Sequence, residues 1–182
     1  MALYDVWRTE SPDYLDGMKL IQIDDVMNGH DAGVFKKFFS DHLPGHQKQI
    51  EFITNADSRA DLAILGLGLN GHVAFHEPGI DDAFYSGCVR LNEITCDHLG
   101  LERGTWGISY GAAAFASAKA VLMMVSGSSK ADVLARLIDR DPTLPATSLL
   151  AHRDFTILAD PDALKFVDLR SGGRKFDLDG VA

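Results

Sequence analysis

The chain has 182 residues with 46% apolar and 24% charged side chains, which suits one globular domain with a real core and excludes a disordered segment. Its formal charge of −9 argues against a dedicated nucleic-acid binder but leaves phosphate-bearing substrates open, because one well-placed Lys or Arg governs those locally. Cys88 and Cys96 are too few for a disulfide framework and lack C-x-x-C spacing, so two reduced thiols in a cytoplasmic protein are expected. The opening MALYDVWRTESPDYLDG is acidic early and does not resemble a signal peptide, and no apolar run reaches the roughly 18–20 residues a membrane helix needs.

In chain order, Lys19–Ile23 (KLIQI) reads as a strand. Asp31–His42 reads as a helix with Val34, Phe35, Phe38 and Phe39 on one face. Gln49–Ile53 is a short strand candidate. Asp61–Leu67 (DLAILGL) is apolar without alternation, as buried parallel strands are. Val89–Thr95 reads as a strand and Ser109–Ala118 as a helix. Ala120–Ser126 (AVLMMVS) is a second continuous apolar strand, followed by Gly127-Ser128-Ser129 and a helix over Lys130–Asp139. Ala146–His152 reads as a short helix and Phe155–Ala159 as a last strand. This alternation predicts an α/β layer fold with a mostly parallel sheet. A single domain over residues 1–170 and a polar tail over 171–182 are expected.

The stretch LAILGLGLNGHVAFHEPG, residues 62–79, concentrates the chemistry. Gly66, Gly68 and Gly71 spell G-x-G-x-x-G, and Glu93 lies about 20 residues on, where an acidic ribose ligand would sit. A dinucleotide site, however, needs the glycines to open directly into a helix, and Pro78 and Gly79 follow too soon. His72 and His76 are four apart, but Glu77 follows the second histidine, so the zinc pattern H-E-x-x-H is not met and no metal is expected. A plain Gly-rich strand exit would account for the glycines alone. An imidazole and a carboxylate five residues apart, beyond the end of a buried strand, instead suit a ligand site, with glycines admitting the ligand to the backbone.

LGLGLNGHVAFHEPG resembles the signature of the glucosamine-6-phosphate deaminase/isomerase family, which includes galactosamine-6-phosphate relatives. The related 6-phosphogluconolactonases share the Gly-x-Gly…Gly-His core but continue differently. KLIQIDDVMNG resembles the strand carrying the family's proton-shuttling aspartate, and SGSSKADVL resembles its phosphate-binding turn. The likeness extends over about residues 18–160. It implies a three-layer, Rossmann-like α/β fold with helices on both faces and a cofactor-free conversion of a hexosamine 6-phosphate to a ketohexose 6-phosphate and ammonia. Alternatives are an impaired sugar-phosphate-binding homologue and a lactonase-like hydrolase.

By the same resemblance, Asp24 is the base moving a proton between C1 and C2, ionised at an ordinary pKa, and His72 opens the sugar ring. Glu77 sets the tautomer and basicity of that histidine. Asn70, where relatives carry Asp or Asn, orients it. Gly68, Gly71, Asp25 and Lys130 fall to substrate binding, with Lys130 at a helix N-terminus that favours an anion. His76 receives no catalytic role. The family's N-terminal strand and Thr-Gly-Gly-Thr-Pro-type loop have no counterpart here, so the fold is expected to lack that strand unit. The segment between Thr95 and Trp106 is shorter than the family's lid, so Arg90 or Arg103 would have to supply the lid arginine, and His98 is a further candidate. A homo-oligomer is a further expectation from the relatives.

Overall fold

A computed structural model describes residues 2–10, 12–28, 31–53 and 59–168. The 171–182 tail lies outside the described residues.

Among the described residues, three short strand groups form the framework. The most apolar stretches make a parallel sheet in the order β5 (Leu62–Gly66), β8 (Ala120–Val125), β9 (Phe155–Ala159). A second parallel pair joins β1 (Leu20–Ile21) to β4 (Ile50–Glu51). Parallel pairing was the expectation for these runs, and β9 falls on the residues anticipated. The third sheet is antiparallel and was not legible beforehand. Its order is β3 (Asp31–Ala32), β2 (Asp24–Asn28), β7 (Trp106–Tyr110), β6 (Ser86–Arg90).

That sheet corrects two sequence readings. The segment expected as strand Val89–Thr95 is strand only through Arg90; Asn92 then caps a helix, α3 (Glu93–Leu99), by accepting from the Ile94 N–H at 3.0 Å. An Asn followed by a Glu is a helix start that β-branched Ile94 and Thr95 disguised. The helix ends at Gly100, whose φ of +66° is the left-handed stop. Likewise Ser109–Ala118 opens as β7, and only Ala112–Ala116 (α4) is helical. The short helix expected over Ala146–His152 is a 3-10 helix over Pro145–Ala151.

The two earlier helices pack through aromatic edges. α1 (Ala2–Glu10) sets Tyr4 edge-on to Phe38 and Phe39 of α2 (Val34–His42), with ring centres 5.2 and 5.9 Å apart. The anticipated apolar face of α2 is therefore only partly covered, and Val34 stays exposed.

Two cores result. The larger lies under the β5–β8–β9 sheet, where Leu65, Val121 and Met123 meet Val133, Leu134 and Leu137 of α5 (Ala131–Ile138) and Leu144 and Leu149 of the following turn. The smaller sits beneath the antiparallel sheet and joins Val26, Phe75, Val89, Leu91 and Cys96. The two sheets thus bring strand ends from both halves of the chain to one place. No helix among the described residues is long and apolar enough to cross a membrane.

Candidate active site

Beyond the carboxyl ends of β1 and β5 lies a cavity of about 370 Å3. Ile23, Asp24, Gly66–Leu69, His72, Ala74 and Phe75 line it, and α3 supplies Ile94, Thr95, His98 and Leu99. Phe35 and Lys130 complete the wall. Its size and largely apolar lining with a few polar groups suit a small metabolite.

The loop after β5 explains why the glycines are there. It does not open into a helix: Gly71 N–H donates to Gly68 O at 3.0 Å and Gly68 N–H to His72 O at 2.9 Å, a closed turn. Gly71 needs its φ of +83°, and a side chain there would strike Leu144. At Gly68 an added Cβ would fall 2.4 Å from His72 Nε2. The space freed by the missing side chain therefore holds the imidazole. Gly68 lines the cavity and Gly71 does not, so the expected substrate role of Gly71 becomes one of turn geometry. The dinucleotide reading fails on the same loop, and Glu93 is exposed and paired to Arg103 at 3.0 Å.

Glu77 is buried and surrounded by donors. The Asn70 amide reaches Oε2 at 2.9 Å and the backbone N–H of Asn92 reaches Oε1 at 3.2 Å. Thr95 also hydrogen-bonds to it, and His72 Nδ1 stands 3.4 Å from Oε2. Burial pushes this carboxyl up, yet the bonds from His72, Thr95 and Asn70 outweigh it and hold the pKa at about 2. Asn70 thus orients Glu77 rather than the imidazole; toward His72 it offers only its Oδ1, to the backbone N–H at 3.3 Å.

Asp24 behaves in the opposite way. Burial, then the neighbouring Asp25, raise its pKa to about 7, so the ordinary pKa expected from sequence is corrected. Asp24 is among the residues that line the cavity. Asp25 does not share that cavity. Its side chain is 2% exposed and accepts from Gln22 Nε2 at 3.0 Å, Val26 N at 2.8 Å and Phe35 N at 2.7 Å. The last is an otherwise unpaired donor in the first turn of α2, so Asp25 caps that helix with its carboxylate turned away from the cavity lining.

Lys130 reaches the cavity from the turn before α5, and burial lowers its pKa. The Gly127 N–H in that turn is taken by the Asp160 carboxylate at 2.9 and 3.1 Å, so the side chain, more than the turn, offers charge to an anion. Neither Arg90 nor Arg103 is among the residues lining the cavity. Arg103 is held by Glu93 and Asp97, and Arg90 lies along Gly104. His98 does line it.

His76 is wholly buried. Its Nδ1 accepts from Ala112 N at 2.9 Å and its Nε2 lies 3.2 Å from Ile80 O, pinning the loop to α4. Among the described residues no group of three or more His, Cys, Asp or Glu is placed to hold a metal ion. Sequence reasoning misses Thr95, Phe35 and Phe75; in the sequence Thr95 reads as the end of a strand, which hides its place in a helix's first turn.

A family profile described as glucosamine-6-phosphate isomerases/6-phosphogluconolactonase matches residues 36–158. The chain belongs to that family. A glucosamine-6-phosphate deaminase from Clostridium botulinum is 30% identical over 139 residues, 72% of this chain and 57% of that protein. The one from Streptococcus pneumoniae is 36% identical over 121 residues, 62% of this chain and 52% of that protein. The chain therefore spans about half the length of these curated relatives. Among solved structures, a monomeric glucosamine-6-phosphate deaminase superposes with a TM-score of 0.72 at 22% identity, over 91% of this chain and 81% of that one. A 6-phosphogluconolactonase from Leishmania guyanensis gives 0.69 at 16% identity, over 92% and 82%. Both structures share the isomerase/lactonase family fold.

Proposed function

We propose that this family member is an aminosugar-phosphate deaminase, converting a hexosamine 6-phosphate to a ketohexose 6-phosphate and ammonia. One observation carries the reading: a carboxyl with a pKa of about 7 and an imidazole backed by a fully ionised carboxylate face one cavity. Two groups whose environments push them to opposite protonation behaviour are what proton-transfer chemistry requires.

In this reading His72 carries a proton from the anomeric hydroxyl to the ring oxygen and opens the sugar. Asp24 takes the proton from C2 and returns it to C1, while a proton of the C2 ammonium passes to the C1 oxygen, leaving a C1 hydroxyl and a C2 iminium. Water then adds to the iminium carbon at C2, the C–N bond breaks, and ammonia leaves. A carboxylate with a raised pKa is the stronger base for a C–H proton and is still about half ionised near pH 7. Lys130 holds the phosphate. No cofactor enters any step. The named deaminase relatives support the same substrate class.

A sugar-phosphate-binding homologue with little turnover is the second reading, favoured by Arg90 and Arg103 both lying away from the cavity. Incubation with glucosamine 6-phosphate and galactosamine 6-phosphate separately, measuring free ammonia, decides between them. Release that disappears in His72→Ala establishes the deaminase and its epimer. Thermal stabilisation by either sugar without ammonia supports the binding homologue. Acid release from a phosphogluconolactone that survives Asp24→Asn would instead reveal a lactonase.

A further inference from the structure

Thr95 sits in the first turn of α3, and its side chain meets both halves of the imidazole–carboxylate pair. Its Oγ1 is 3.3 Å from His72 Nδ1 and it hydrogen-bonds to Glu77, while the residue is only 3% exposed. The direct approach of His72 Nδ1 to Glu77 Oε2 is longer, 3.4 Å, and that oxygen already accepts the Asn70 amide at 2.9 Å.

The chemistry of a hydroxyl then decides the direction of each bond. Glu77 is ionised and can only accept, so the single Thr95 proton goes to it. Toward the ring the same oxygen is left as an acceptor, and Nδ1 must carry a hydrogen to meet it. We propose that Thr95 is a positioning residue that relays Glu77 to His72, holding the ring as the Nδ1–H tautomer with Nε2 free to accept a proton. The inference deepens the deaminase reading and rests on it for the use of Nε2 in ring opening; the tautomer itself does not depend on turnover. It also gives α3 a task. Asn92 N–H and the Thr95 hydroxyl, one turn apart, both fasten Glu77, so the helix forming one wall of the cavity sets the histidine as well.

The test is a long-range proton–nitrogen imidazole spectrum of the full chain at alkaline pH, without substrate, for wild type, Thr95→Val and Thr95→Ser. The expected result is His72 protonated on Nδ1 in wild type and Thr95→Ser, and a tautomer mixture in Thr95→Val. With glucosamine 6-phosphate, Thr95→Val should lower kcat about tenfold with KM little changed, the range typical of groups that orient a catalytic ligand, and Thr95→Ser should restore it. A wild-type ring protonated on Nε2 overturns the proposal, as does an unchanged spectrum in Thr95→Val or equal perturbation by valine and serine. Should the valine variant not fold, Thr95→Ala replaces it and the wild-type spectrum keeps its deciding weight. Wild type that releases no ammonia yet shows the Thr95-dependent tautomer retires the deaminase reading and supports the relay.

Discussion

The Asn70 amide donates to Glu77 Oε2 at 2.9 Å, so a neutral residue stabilises the carboxylate that in turn faces His72. Asn70→Asp removes that donor and puts two carboxyls in contact. Like charges at that distance cannot both ionise cheaply, so one of the pair must take up a proton near neutrality. We expect kcat/KM of Asn70→Asp to gain an extra acid limb, read from a pH–rate profile between pH 5 and 8. A profile superimposable on wild type would show that the Asn70–Glu77 contact does not control the site.

Asp24 links activity and stability through one proton. Its folded pKa of about 7 lies above the ordinary carboxyl value, so the folded state favours the protonated form. The associated stability is full below about pH 4 and is lost as pH rises through 7. Asp24→Asn, which never ionises, should therefore exceed wild type in unfolding free energy by about 4 kcal/mol at pH 8, with the gap closing toward pH 4. The same variant should lose 10²–10⁴-fold in ammonia release, the usual range for a general base, approximately. Wild-type kcat/KM should climb with pH and level off above about 7, where Asp24 is ionised. Denaturant melts at three pH values check the first statement.

Gly68 is fixed by its neighbour. A methyl group there would fall 2.4 Å from His72 Nε2, so Gly68→Ala must push the ring out of place. A misplaced catalytic group costs on the order of 10²-fold in kcat/KM. The expected signature is lost turnover with a small change in Tm, because the ring moves and the core does not. A fully active Gly68→Ala would mean that the ring position seen here is not the working one.

Lys130 should act on binding through the phosphate. Lys130→Ala is expected to raise KM for glucosamine 6-phosphate at least about tenfold, since a bond to a charged group contributes about 1.5–3 kcal/mol. The outcome that excludes a phosphate contact is an unchanged KM. Arg103→Ala, removing an exposed ion pair, should shift stability by no more than about 1 kcal/mol and leave KM alone.

His76 should matter for folding alone. Replacing it by Leu leaves the Ala112 N–H and the Ile80 carbonyl without their partner in a buried place. Each such orphan costs about 1–3 kcal/mol, so a Tm drop of several degrees is expected. Per folded molecule, KM and the pH profile should stay as in wild type. A changed pH profile would assign His76 to the chemistry.

What could be read from sequence followed from local signals. β5, β8 and β9 are continuous apolar runs, and their parallel pairing is the standard use of such runs. His72 and Glu77 stand out because they lie five residues apart in one loop. The antiparallel sheet was hidden because β2, β6 and β7 contain Asp24, Asp25, Gly87, Gly107 and Ser109, polar or small residues set by site geometry. Asp25 and Thr95 show the deeper limit. Each takes its role from a partner across the fold, the N-terminus of α2 for one and the His72 ring for the other, and no local pattern reports such a partner.

Asp24 pairs in register with Ser109, a residue from the other half of the chain, and Phe75 N–H donates to that serine's hydroxyl at 2.9 Å. Loop-closure entropy must be met before such distant pairings form, so contacts of this kind come late in folding and slow it. The β5–β8–β9 sheet can collapse on its own apolar residues, whereas Asp24 reaches its place in the cavity wall only when β2 and β7 zip together. In refolding experiments, recovery of catalysis should therefore lag behind recovery of secondary structure. In the reverse direction, opening of the β2–β7 seam would silence the protein while most of its core is still intact.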